Sequence, residues 1–395
     1  MTSLKNLKYE FASVTVLRNI FSDRVLSLFY NFLNCNGDLT EKISIYSEFV
    51  FALQKHSGLL SEYLKNALFE DENEYIILKA KNKGIAESIL NNLQHDLKIL
   101  TLLSDISVED IREYISYDGY LPCFENEHID FSECYFERAE KVGTLGYGIF
   151  ASNPMFKVVD TEIVPVESSD SITVDEFVGY AEERKTVIEN TVALLEGRAA
   201  SNILLYGDAG TGKSSTVKAV TNLLFDRGLR LIEIRKDQLL FLSDIMGKIK
   251  ENPLKFILFI DDLSFNKNDD QFSMLKAALE GSASVKSANS VIYATSNRRH
   301  IVKETFSERS DSDDIHRNDT VQELLSLSDR FGLTVYFSKP GKNLYLEIVQ
   351  HLALRYGLDC DDNELKIKAE AFALQRGSRS PRVAEQFVKN EKNKQ

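Results

Sequence analysis

Through the first third of the chain apolar residues recur three and four positions apart, as in Val25-Leu26-Ser27-Leu28-Phe29-Tyr30-Asn31-Phe32-Leu33 and Ala86-Glu87-Ser88-Ile89-Leu90-Asn91-Asn92-Leu93. That spacing predicts helices, interrupted at Asn36-Gly37-Asp38 and Lys81-Asn82-Lys83-Gly84. Residues 143–175 lose the rhythm and read as a connection; Gly143-Thr144-Leu145-Gly146-Tyr147-Gly148 has neither a strand before it nor a good helix after it, so it reads as a loop. Val166-Glu167-Ser168-Ser169-Asp170-Ser171 is polar enough for an exposed linker. From residue 176 strand-length apolar runs alternate with helical patterns, with strands expected at 202–207, 229–235, 256–261, 290–296 and 333–338. The expectation is an α/β fold: a mainly helical domain over 1–142, a linker over 143–175, a core with a five-stranded parallel sheet over 176–340, and helices over 341–395.

Between the strand at 202–207 and the helical pattern that begins at Ser215 lies Gly207-Asp208-Ala209-Gly210-Thr211-Gly212-Lys213-Ser214, which satisfies all fixed positions of G-x-x-x-x-G-K-[ST]. Gly207, Gly210 and Gly212 let the backbone curl so that the N–H groups of the loop, from Ala209 through Thr211 to Ser215, turn inward beneath the positive end of the following helix. That is a cradle for phosphate oxygens. Lys213 brings a compact positive charge to the β- and γ-phosphates, and the Ser214 hydroxyl is a hard oxygen suited to Mg²⁺. ATP and Mg²⁺ are therefore the expected cofactors.

Phe256-Ile257-Leu258-Phe259-Ile260-Asp261-Asp262 has the form of a Walker B strand. Asp261 at its C-terminal end is placed to hold Mg²⁺ through water, and Asp262 to polarise an attacking water. Ser290-Val291-Ile292-Tyr293-Ala294-Thr295-Ser296-Asn297 is a further strand ending in an amide, where Asn297 can bond a γ-phosphate or the lytic water. Thr-Ser-Asn alone is merely a turn; its order after the two preceding motifs makes Asn297 a nucleotide sensor.

Composition adds boundaries. The 395 residues exceed one ordinary hydrophobic core, and a formal net charge of −13 argues against adhesion to nucleic acid over the whole surface. Cys35, Cys123, Cys134 and Cys360 form no C-x-x-C pair, and His56 and His95 have no partner at metal-ligand spacing. No uncharged apolar run reaches membrane-spanning length and no signal-peptide core follows the N-terminus, so the chain is expected in the cytoplasm. Ser307-Glu308-Arg309-Ser310-Asp311-Ser312-Asp313-Asp314 reads as a solvated loop.

Taken together, these blocks resemble the AAA+ ATPases, and specifically the bacterial DUF815 family of ATP-binding proteins. The resemblance spans about residues 143–390. It rests on Phe177-Val178-Gly179-Tyr180, the phosphate loop, the run from Ile257 to Phe265, Tyr293-Ala294-Thr295-Ser296-Asn297-Arg298-Arg299-His300, Leu327-Ser328-Asp329-Arg330-Phe331-Gly332-Leu333 and Arg376-Gly377-Ser378-Arg379-Ser380-Pro381-Arg382. It implies a small helical lid, Mg²⁺-dependent ATP hydrolysis and a homo-oligomeric ring, a hexamer being one form of it. Phe177, Val178 and Gly179 then match the segment that lines the adenine pocket in related ATPases. Arg330 sits where Holliday-junction motors of this superfamily carry the finger that reaches a neighbour's γ-phosphate, and Arg382 matches the second sensor carried by the lid. Arg298 and Arg299 read either as facing a neighbouring subunit or, at least as well, as an exposed basic turn. Many such ATPases have Glu where Asp262 stands, one methylene longer.

The resemblance leaves three function classes. One is a remodelling motor acting on a protein or nucleic-acid partner, with the N-terminal helices as adaptor. A second is a slow nucleotide-dependent switch or loader. The third, a small-molecule kinase, has no use for a sensor Asn297, a finger Arg330 and a lid. Lys236-Asp237-Gln238-Leu239-Leu240-Phe241-Leu242-Ser243-Asp244 lacks the aromatic-apolar-glycine arrangement of unfoldases that thread polypeptide, and no helix-turn-helix or zinc module points to DNA.

Overall fold

Asn36-Gly37-Asp38 breaks the helical pattern because Asp38 is a cap. The helix Arg24–Asn34 ends before it, and the Asp38 carboxylate accepts the N–H of Glu41 at 2.9 Å to start the helix Leu39–Gln54. The structure is a computed structural model that describes residues 4–166, 172–263, 274–277, 279, 289–297 and 330–394. Two units emerge along the chain, Met1–Ser152 and Asn153–Gln395.

The first unit is helical, as the three-and-four spacing predicts. Its helices bury Phe29, Phe32, Tyr46 and Phe49 completely, with the rings of Phe29 and Phe49 5.0 Å apart and those of Phe32 and Tyr46 5.6 Å apart. The buried Asp96 carboxylate accepts the N–H groups of Thr15, Val16 and Leu17 at 3.1, 2.8 and 3.0 Å, which fixes the turn after the first helix, Leu4–Ser13. His95 bonds the Ser13 hydroxyl at 2.7 Å, and His56 packs its ring against Tyr63. The glycine-rich stretch 143–148 runs through a short helix, Val142–Leu145, into a single 3-10 turn, Gly148–Phe150.

The second unit is built on a sheet of β1 (Met155–Val159), β2 (Glu162–Pro165), β3 (Ile203–Gly207), β4 (Leu229–Glu233), β5 (Lys255–Ile260), β6 (Ser290–Ser296) and β7 (Leu333–Phe337). Their order across the sheet is β2-β1-β4-β5-β6-β3-β7. Every neighbouring pair is parallel except the hairpin β1/β2. The core is the expected α/β arrangement with a largely parallel sheet, with a correction: among the described residues the sheet has seven strands, not five. The extra two come from the segment read as a linker, where Met155 and Phe156 are buried and Asp160 turns the chain back at φ 55°. A four-residue edge strand beyond a turn carries too little alternation to stand out in the sequence.

Strands β3, β5 and β6 are buried along almost their whole length, the mark of a sheet covered on both faces. Their packing makes the site. β6 lies between β5 and β3, with Ile260 opposite Ala294 and Leu205 opposite Thr295, so the C-terminal ends of all three strands open on one edge. The lid follows as three helices, Lys342–Arg355, Asp362–Arg376 and Pro381–Lys392. They share a core of Tyr345, Val349, Ala369, Ala384 and Val388. Ser380 caps the last helix at the N–H of Val383 and Pro381 occupies its first turn, which sets Arg382 at the helix start.

Candidate nucleotide site

Gly207 ends β3 at φ 141°, a backbone state that L side chains rarely adopt, and a Cβ there would lie 2.0 Å from the Phe337 carbonyl oxygen. Only glycine lets β3 run this close to β7 before the loop turns. Gly210 and Gly212 follow at φ 76° and 92°, and the helix Lys213–Leu223 begins directly after. Thr211 ties the curl with a hydroxyl bond to the Asp208 carbonyl at 2.9 Å. The result is a loop that wraps a helix N-terminus, the geometry expected of an anion cradle.

The Lys213 ammonium lies under this loop, 6% exposed, and donates to the carbonyls of Gly207 at 3.0 Å and Asp208 at 2.8 Å and to Asn297 Oδ1 at 3.1 Å. Burial pushes its pKa down, and Arg382 adds to that; the carboxylates of Asp208, Asp261 and Asp262 oppose it. Asn297 in turn donates its amide to Asp262 Oδ1 at 2.7 Å, so lysine, amide and carboxylate form one chain. On the other side Ser214 Oγ donates to Asp261 Oδ1 at 2.6 Å. Each of these residues comes from the end of a different strand or from the phosphate loop, and only the β5-β6-β3 order brings them together.

A cavity of about 690 Å³ opens above the loop, within the range of small-ligand pockets. Ala209, Gly210, Thr211, Gly212, Lys213, Ser214 and Ser215 line its floor, with Asp261, Asp262 and Asn297 at one side and Arg382 above. Phe177 and Val178 line it too. Gly179 does not; it turns at φ 77° beside Leu344 and lets the chain enter the next helix. Tyr180 closes the turn by donating its hydroxyl to the Ser338 carbonyl at 2.6 Å, and burial lifts its pKa to about 12. The lid touches the loop directly, since the Arg382 N–H donates to the Gly210 carbonyl at 3.3 Å.

Arg330 is not brought into this cavity. It precedes β7, whose first residue Leu333 pairs with Ile203 at the start of β3, whereas the phosphate loop leaves β3 at its other end. Five residues of strand separate the two edges by about 15 Å. Arg298, Arg299, His300 and the tract 307–314 lie outside the described residues.

Further polar residues on the cavity wall have no role read from the sequence, among them His351 and Arg355 on a lid helix, Glu176 just before Phe177, and Thr295 on β6. Arg355 pairs with Glu176 at 2.8 Å, joining the lid to the Phe177 segment. The signal for the lid pair was a helical spacing, Ile348, His351, Leu352 and Arg355, but which face meets the cavity is a matter of tertiary packing.

The residues fit a magnesium nucleotide. Ser214 and Asp261 supply hard oxygens within 2.6 Å of each other. Among the described residues no group of three or more His, Cys, Asp or Glu side chains could hold a metal ion by itself. A cation here would be shared with nucleotide phosphates and water, which is the usual habit of Mg²⁺.

Two ClpB chaperones, from Rickettsia bellii and Rickettsia felis, are each 29% identical over 115 residues, which is 25% of this chain and only 13% of the chaperone. Among solved structures, the Thermotoga maritima RuvB Holliday junction branch migration motor matches 55% of this chain and 63% of its own, at 16% identity and a TM-score of 0.38. The FIGL-1 AAA domain in complex with ADP matches 50% of this chain and 66% of its own, at 16% identity and a TM-score of 0.37. A family model described as "Protein of unknown function (DUF815)" matches residues 152–395, the whole second unit with its phosphate loop and lid. On that match across more than half of its length, the chain belongs to the DUF815 family.

Proposed function

We propose that this chain is a Mg²⁺-dependent ATPase that binds and hydrolyses ATP at a site shared between subunits of a homo-oligomeric ring, and that the cycle remodels or moves a macromolecular partner. The observation that carries the proposal is the continuous hydrogen-bonded chain at the cavity floor, Lys213 to Asn297 to Asp262, beside the Ser214–Asp261 pair. It sets a cation for the phosphates, an amide that can sense them and a carboxylate that can take a hydrogen bond from water within one pocket. When bound, Mg²⁺ supplies charge neutralisation between the terminal phosphates. Arg382 at the lid helix start is positioned to draw the lid toward the phosphate charge.

Arg330 supports the shared site. The sheet separates it from its own phosphate loop, so a role in catalysis requires the site of a neighbouring subunit. No helix among the described residues is long and apolar enough to cross a membrane. A slow switch or loader remains the second reading, favoured by one contact: the Asn297 amide bonds Asp262 Oδ1 at 2.7 Å and competes with water for that oxygen.

The test is phosphate release by the purified chain with Mg-ATP, beside the Asp262→Asn variant. The variant is expected to hold ATP with near wild-type affinity and to lose turnover by about a hundredfold or more. Undiminished turnover would move the catalytic role elsewhere. The same variant, loaded with Mg-ATP in cell extract, serves as a trap: nucleic acid or a specific protein retained only with ATP identifies the class of partner.

A further inference from the structure

We propose that Thr295 is a positioning residue of the nucleotide site, holding the turn that carries Asp261 and Asp262 in the geometry that lets the site take up a divalent cation. The inference rests on the reading of Asp261 as the cation-side carboxylate and extends it to a residue to which the sequence assigns no role. Thr295 lies on β6, 2% exposed, and makes three bonds to one short turn. Its hydroxyl donates to Asp261 Oδ1 at 2.5 Å and accepts the N–H of Asp262 at 2.9 Å, while its carbonyl accepts the N–H of Leu263 at 2.7 Å. Three consecutive residues beyond β5 are thus tied to one residue of the neighbouring strand.

The turn needs such a tie. Asp262 has φ 52°, the left-handed region that a non-glycine residue enters only at a cost, and such conformations persist where surrounding bonds over-determine them. The hydroxyl spends its one hydrogen on Asp261 and a lone pair on the Asp262 N–H, so a single group sets both residues. Asp261 Oδ1 also accepts the Ser214 hydroxyl at 2.6 Å and the Asp262 N–H at 3.1 Å. The Ser214 hydrogen therefore points at Asp261, and the oxygen lone pairs are left for a cation. Thr295 acts on cation uptake through Asp261, and on water through Asp262, without touching either.

Thr295→Val removes the hydroxyl and keeps the branched shape. The readout is binding of a fluorescent ADP analogue to the full chain, with Mg²⁺ and with EDTA, so it does not depend on hydrolysis. The variant should keep its metal-free affinity within about twofold and lose the Mg²⁺-dependent gain by about tenfold or more, the scale of a lost bond to a charged group. Thr295→Ser, which restores the hydroxyl, should recover that gain. A purely structural role would lower thermal stability and weaken both affinities together.

A full Mg²⁺-dependent gain in Thr295→Val overturns the proposal, as does wild-type protein that shows no such gain. Wild-type protein that gains affinity with Mg²⁺ yet releases no phosphate from ATP would instead sink the hydrolysis reading and leave Thr295 to be judged by its own titration. Should Thr295→Val fail to fold, Thr295→Cys replaces the hydroxyl with a weak donor of similar size and is read in the same way.

Discussion

Lys213→Met removes one ammonium from the floor of the site while keeping most of the stem that fills it. In the structure the three N–H bonds of that ammonium go to Gly207 O, Asp208 O and Asn297 Oδ1, at 3.0, 2.8 and 3.1 Å. With 6% of the residue exposed, little water competes for it, so an arriving phosphate meets a charge already oriented. A hydrogen bond to a charged partner contributes about 1.5–3 kcal/mol, so two phosphate oxygens give about 3–6 kcal/mol. At about 1.4 kcal/mol per decade that is roughly a 10²- to 10⁴-fold change in Kd. The lysine gives up part of its present bonding on the way, which places the expected loss toward the lower end, about a hundredfold. Calorimetric titration with Mg-ATP, Mg-ADP and AMP reads it. ATP and ADP should weaken together, whereas AMP, which lacks the outer phosphates, should scarcely change. Thermal melting without nucleotide, run in parallel, separates lost binding from lost folding. A Kd for Mg-ATP within about threefold of wild type, in a variant that melts normally, would refute the assignment of the loop.

Arg330→Ala should keep ATP affinity and lower turnover by about a thousandfold, since a finger in trans is worth that much or more. Mixing it with Lys213→Met chains should restore part of the rate, because each variant supplies what the other lacks; no recovery on mixing would count against a shared site. Gly207→Ala places a Cβ 2.0 Å from the Phe337 carbonyl, a backbone atom that cannot rotate away, at φ 141°. Overpacking and backbone strain together should cost about 3 kcal/mol and lower the melting temperature by roughly 10 °C, and a melt unchanged to within about two degrees would show that the β3–β7 contact relaxes freely.

The sequence by itself determined the elements and the chemistry. The runs at 202–207, 256–261 and 290–296 are each built on an unbroken apolar stretch, Ile203 to Tyr206, Phe256 to Ile260 and Val291 to Ala294, as a strand buried on both faces requires. Gly207, Gly210 and Gly212 were legible because backbone at positive φ demands glycine, and Lys213 and Ser214 because phosphate and cation demand those groups at that spacing. Ser380-Pro381 announced a helix start for a similarly local reason.

What the tertiary structure decided is everything that depends on strand order. Asp261, Asn297 and Lys213 are far apart in the chain and become one site only because β6 lies between β5 and β3. The hairpin of β1 and β2 was hidden because an edge strand can be half exposed and short, and its partner β4 is more than seventy residues away. Thr295 looked like a turn residue in Thr-Ser-Asn; its hold on Asp261 and Asp262 exists only across the strand pair. The lid contact at Gly210, which sets Arg382 above the phosphate loop, likewise joins residues that the sequence places in different regions. Local pattern encodes what each segment must be, because burial and backbone geometry act residue by residue. Which segments lie side by side is fixed by packing of the whole sheet, and at this site that packing brings the reactive groups together.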